Sequence, residues 1–145
     1  MRSLNLIDKA FLLKKTNLFG SLDLDLLLSI ADKVESLHFR AADKVFQIDH
    51  EGSRMYLIAA GQISIVDKYE QPLANLAAGD FFGDEGIFND KRRTYSAYCL
   101  TKVELLVLPR SHLISIIQEC PTVALCLLEA YASQFTCRYP SLNPL

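Results

Sequence analysis

The residues best suited to chemistry in this 145-residue chain lie in one run, Gly79-Asp80-Phe81-Phe82-Gly83-Asp84-Glu85-Gly86-Ile87-Phe88-Asn89-Asp90-Lys91-Arg92-Arg93-Thr94-Tyr95-Ser96-Ala97. Gly83 and Gly86 let the backbone approach a partner closely. A short helical turn starting near Asp84 presents free backbone N–H groups, which suit an anion. Arg92, Arg93 and Thr94 follow. Arginine forks onto phosphate oxygens with two N–H bonds, and a threonine hydroxyl adds a third donor. A carboxylate beside them, Asp84 or Glu85, can accept from ribose hydroxyls. The parts for holding a sugar phosphate thus fall within one short stretch. Plainer readings stand beside this one: Arg92 and Arg93 as a solvated pair, and Asp84 and Glu85 as helix-start acids with no ligand.

The rest of the chain must position that run. Leu4, Ile7, Phe11 and Leu12 recur at helical spacing and predict a helix over 4–15. A second helix is expected over 23–37, with Ser21 as N-cap, acids Asp23 and Asp25 in its first turn, and a stripe of Leu24, Leu27, Leu28, Ala31 and Val34. From His38 the pattern becomes short β-rich runs, at 44–48, 55–59, 62–67, 71–76, 95–99 and 102–108, separated by turn residues. This spacing leaves a sandwich, a roll or a barrel open. The segment Leu105-Leu106-Val107-Leu108 is apolar on both faces, so a strand there must be covered on its outer side too, by the terminal helices. After Pro109 helical spacing returns, over 111–119 and 122–137, with Pro121 suited to the first turn of the second.

Half of the residues are hydrophobic and 22% are charged, enough to pack one core and too apolar for disorder. The formal charge of -2 argues against a direct nucleic-acid binder, which needs a basic face. No apolar run approaches a membrane span and no leader pattern opens the chain, so a cytoplasmic protein without membrane contact is expected. The four cysteines, Cys99, Cys120, Cys126 and Cys137, form no CxxC pair, and His38, His50 and His112 are scattered. No metal site and no catalytic nucleophile is expected, hence no enzyme.

The run Phe82-Gly83-Asp84-Glu85-Gly86-Ile87 followed by Arg93-Thr94-Tyr95-Ser96 resembles the phosphate-binding cassette of the cyclic-nucleotide-binding domain family. Gly52 before Met55-Tyr56-Leu57-Ile58, Gly61 after it, and the opening Phe11-Leu12-Leu13-Lys14-Lys15-Thr16-Asn17-Leu18-Phe19 resemble further landmarks of the family. The resemblance covers residues 10–137. It implies an α+β fold: a mainly-β, jelly-roll-like β-roll of about eight antiparallel strands with N-terminal and C-terminal helices. One domain is implied, with a helical segment at 1–37, the roll at 38–109 carrying the cassette at 82–96, helices at 110–137 and a tail at 138–145. The ligand would be cAMP or cGMP. Arg93 would clamp the cyclic phosphate and Asp84 would take the ribose 2′-hydroxyl. Gly83, Gly86 and Ile87 would shape the turn and offer N–H groups, Thr94 would donate to phosphate or base, and Phe82 and Glu85 would complete the site. Tyr131 and Phe135 on the last helix would lie over the base as a lid, unless they only pack, as helical spacing on an apolar face equally allows.

Four residues depart from the family pattern. Asp84 is one methylene shorter than the usual Glu. Glu85 stands where an apolar residue is usual, either replacing Asp84 as sugar partner or adding a second negative charge. Arg92 replaces a proline, and Tyr95 replaces a small residue beside the phosphate site. Two functions follow: a sensor that reports ligand through movement of the C-terminal helix, or a domain that kept the roll, lost the nucleotide and binds proteins. Leu125, Leu128 and Ala132 fall outside that helix's main stripe. Its output would pass to a separate effector protein or through a homodimer along this helix.

Overall fold

The computed structural model describes residues 3–89 and 92–134. Helices α1 (Leu6–Lys14) and α2 (Leu24–Ala31) come first. Eight strands follow: β1 (Glu35–Phe39), β2 (Lys44–Phe46), β3 (Arg54–Ala60), β4 (Ile63–Val66), β5 (Pro72–Leu76), β6 (Phe81–Phe82), β7 (Ser96–Cys99) and β8 (Val103–Pro109). The short α3 (Glu85–Phe88) sits between β6 and β7, and α4 (Arg110–Glu119) and α5 (Thr122–Ser133) end the described chain. The strands form two four-stranded antiparallel sheets, ordered β1-β8-β3-β6 and β2-β7-β4-β5. This is the roll of eight antiparallel strands with flanking helices that the sequence led us to expect.

The helical layer differs from expectation in detail. α1 opens on a capping box: Asn5 accepts from the Asp8 N–H at 2.8 Å, and Asp8 accepts from the Asn5 N–H at 3.2 Å. Its buried residues are Ala10 and Leu13, whereas Ile7 and Phe11, two of the residues whose spacing predicted the helix, are exposed. The N-cap of α2 is Asp23 rather than Ser21, its carboxylate accepting from the Leu26 N–H at 3.0 Å. α2 was expected to run to residue 37 but ends at Ala31. The chain tightens there, Lys33 and Val34 donating to the carbonyls of Ile30 and Ala31, and from Glu35 it pairs with β8, Glu35 opposite Val107 and Phe39 opposite Val103. Leu37 and Phe39, two residues apart, then face the interior of the roll. The pairing of β1 overrides a run that reads well as helix.

β8 is the shared wall of the molecule. Leu106 and Leu108 pack with the helices in one apolar core, while Val103, Leu105 and Val107 pack inside the roll in a second. Alternating side chains of a single strand therefore serve both cores. On α5, Val123 and Leu127 are buried and Leu125 and Leu128 are exposed. The part of this helix expected beyond residue 134, with Phe135 and Cys137, lies outside the described residues.

Candidate functional site

β6 pairs with β3, Phe82 opposite Tyr56, and so delivers Gly83 at the end of a fixed strand. Gly83 has φ +76°, a left-handed conformation that admits glycine without strain. The chain then turns into α3, whose Ile87 anchors it in the helical core. Gly86 lies so close to the carbonyl of Gly52 that any side chain at 86 would collide with it. The returning strand is fixed at Arg93, whose N–H donates to the His50 carbonyl and whose carbonyl accepts from the Asp49 N–H, both at 2.8 Å.

Arg93 is the hub of the site. It is only 5% exposed. Its Nη1 donates to the Gly83 carbonyl at 2.8 Å and its Nη2 to the Arg54 carbonyl at 2.7 Å. The guanidinium stacks on Phe46, Cζ lying 4.2 Å from the ring centroid. Its buried Nε has no hydrogen-bond partner among the described residues. Phe46 belongs to an aromatic cluster with Tyr56, Phe82 and Tyr95, at centroid separations of 5.9, 5.8 and 5.4 Å.

Around this hub the acids are already engaged. The Gly83 N–H donates to the Tyr95 hydroxyl at 2.8 Å, and that hydroxyl donates to Glu85 Oε2 at 2.8 Å. The Tyr131 hydroxyl of α5 donates to Asp84 Oδ2 at 2.7 Å, and its ring meets Phe88 edge-on at 5.5 Å. Burial, and then the charge of Glu85, raise the pKa of Asp84 above the ordinary carboxylate value, while the bond from Tyr131 works the other way. Burial and the neighbouring acids push both tyrosine hydroxyls far up, so they stay protonated and donate.

Of the residues singled out in the sequence, Gly83, Asp84, Glu85, Gly86, Arg93 and Thr94 come together. Glu85, Gly86, Arg93 and Thr94 line one cavity of about 210 Å³ with Asn89, Arg92 and Tyr95, while Gly83 and Asp84, expected to face the ligand, lie outside its lining. Phe82 instead stacks on Tyr56 at 5.1 Å in the roll interior, and the Ile87 side chain points into the helical core. The N–H groups of Gly83, Gly86 and Ile87, expected to be free, are engaged: by Tyr95, and by the carbonyls of Gly83 at 3.3 Å and Asp84 at 3.0 Å as the turn closes. Arg92 is exposed and donates to the Asp49 carbonyl at 2.9 Å. A wider cleft of about 780 Å³, also lined by Arg92 and Arg93, opens between Phe46, the start of β3 at Arg54 and Tyr56, and the loop from His50 to Ser53. Sequence reasoning missed Phe46 and the Arg54 carbonyl. Phe46 had a signal, an aromatic in a strand facing other strand aromatics. A carbonyl has none, because every residue carries one.

Among the described residues no single helix is long and apolar enough to cross a membrane. Residues 36–120, more than half of the chain, match the family model of the cyclic nucleotide-binding domain. A Drosophila melanogaster cGMP-dependent protein kinase, isozyme 2 forms cD5/T2, is 29% identical over 92 residues, 60% of this chain and 10% of the kinase. A CRP-like cAMP-activated global transcriptional regulator of Mycobacterium tuberculosis is 26% identical over 125 residues, 83% of this chain and 56% of the regulator. The chain thus spans between a tenth and about half of these relatives. The N-terminal domain of a transcriptional regulator from Streptomyces coelicolor A3(2) has the same fold, with a TM-score of 0.77, 24% identity, and coverage of 85% of this chain and 89% of that one. With its roll, its glycine-framed turn and its buried arginine, the chain belongs to the cyclic-nucleotide-binding domain family.

Proposed function

We propose that this chain is a regulatory module that binds cAMP or cGMP at residues 83–95 and passes the ligand state to α5. The observation that carries the reading is Arg93. A buried guanidinium with one orphaned N–H, and no carboxylate within ion-pair distance among the described residues, is costly to maintain. A cyclic phosphate supplies both the missing charge and the missing acceptor. Thr94, on the rim of the same cavity, adds a hydroxyl. The fly kinase and the mycobacterial regulator carry cGMP and cAMP in their names, which supports this ligand class without choosing between the two.

The route to α5 runs through Asp84. A ribose hydroxyl that takes Oδ2 of this carboxylate competes with the Tyr131 hydroxyl that holds it, which would couple ligand and helix through one acid. The moved helix then acts on a separate effector or on a second copy of the chain, in the cytoplasm, and the module itself carries out no reaction. A second reading, a protein-interaction domain without nucleotide, is favoured by one observation: Tyr95 already fills the cassette.

Isothermal titration calorimetry with cAMP and then cGMP separates the two. Saturable binding at micromolar concentration, removed in Arg93→Ala protein that keeps its circular dichroism spectrum, supports the sensor. Heat equal to dilution at millimolar ligand overturns it in favour of the interaction domain.

A further inference from the structure

The cassette holds its own substitute for a ligand. Tyr95 accepts from the Gly83 N–H and donates to Glu85, both at 2.8 Å. Its ring is lodged 5.4 Å from Phe46, the same ring that carries the Arg93 guanidinium. Tyr95 is also one wall of the cavity of about 210 Å³ that Glu85, Gly86, Arg93 and Thr94 line, a volume below the roughly 300–1,000 Å³ of small-molecule sites. One side chain thus holds a backbone donor and one of the two cassette acids together.

We propose that Tyr95 is the residue that governs access to the cassette: a nucleotide enters by displacing its hydroxyl from Gly83 and Glu85 and swinging its ring off Phe46. This rests on the nucleotide-binding reading above. Displacement frees the Gly83 N–H for the incoming anion and leaves Glu85 facing solvent, where an exposed carboxylate is hydrated at little cost. Arg93 keeps its two carbonyls throughout, because neither belongs to Tyr95. The apparent affinity of the chain is therefore reduced by the fraction of molecules in which Tyr95 is seated.

Two measurements test this on wild type, Tyr95→Phe and Tyr95→Ala: amide exchange at Gly83 by NMR, and calorimetry with cAMP and cGMP. Tyr95→Phe keeps the ring and should fold even where the smaller residue does not. Its Gly83 amide is expected to exchange about tenfold faster, the size of one lost hydrogen bond. Nucleotide affinity is expected to rise by about tenfold in Tyr95→Phe and further in Tyr95→Ala. Unchanged Gly83 exchange in Tyr95→Phe overturns the gate whatever the nucleotide does. Binding by wild type that neither variant tightens overturns the gate and leaves the nucleotide reading standing. No binding by wild type overturns the nucleotide reading, and no binding by any of the three overturns the gate with it.

Discussion

The Tyr131 hydroxyl donates to the Asp84 carboxylate at 2.7 Å, across 47 residues of chain, and this bond joins α5 to the turn that opens the cassette. Phe88 holds the same ring edge-on. Tyr131→Phe keeps that packing and removes the bond. It is expected to cost about 1 kcal/mol in urea unfolding and to speed amide exchange along α5, while far-UV dichroism stays unchanged.

Asp84 itself makes stability depend on pH. Burial and Glu85 raise its folded pKa above the ordinary 3.8. Its charged form is thus disfavoured in the folded state. The penalty is absent below 3.8, grows as pH rises through the folded pKa, and is constant above it. Asp84→Asn is expected to raise Tm at pH 7, with the difference from wild type closing as the pH falls towards 4. Thermal unfolding across that range measures it.

Arg93 bridges two backbone carbonyls that belong to different strand ends. Lysine brings a charge but no planar fork, so it spans only one of them. Arg93→Lys and Arg93→Ala are both expected to lose about 2–4 kcal/mol, with little rescue by lysine, since two charge-assisted bonds and a stacked ring are involved. Denaturant midpoints of the two variants decide this.

The two-sided role of β8 gives a sharp contrast in packing. Leu106, fully buried against the helices, is expected to cost about 3 kcal/mol when cut to alanine. Leu73 on β5 is 60% exposed and is expected to change stability by less than about 0.5 kcal/mol. Both are read by urea unfolding.

Cys99 sits in the roll interior at 2% exposure, and burial pushes its thiol up to about 11. Cys120 and Cys126 are half-buried. In native protein at pH 8, iodoacetamide is expected to label these two well before Cys99, and mass spectrometry of a time course shows the order.

The sequence made some of this legible and hid the rest for physical reasons. The unbroken run Leu105–Leu108 announced a strand covered on both faces, because burial on two sides removes alternation. Arg93 stood out because glycines on one side and a hydroxyl on the other framed it. β1 was hidden because Lys33-Val34-Glu35-Ser36-Leu37 reads well as helix, and only the pairing with β8, some seventy residues away, settles it. The expectation that Tyr95 matters came from its size against a small family residue. That its hydroxyl would bind both Gly83 and Glu85 depends on where three segments meet, which no local pattern encodes.

Gly83 is gripped at both of its polar groups, the carbonyl by Arg93 and the N–H by Tyr95, two residues that flank Thr94. The stretch from 84 to 92 is thus drawn shut at its neck. Where Gly83 and Arg93 sit is set by that neck and not by the contour length beyond it. Adding a residue or two between Phe88 and Arg92 lengthens an already closed loop, at a cost of only a few tenths of a kcal/mol. The chain can therefore change in length between its two gripped ends while Gly83 and Arg93 stay in register.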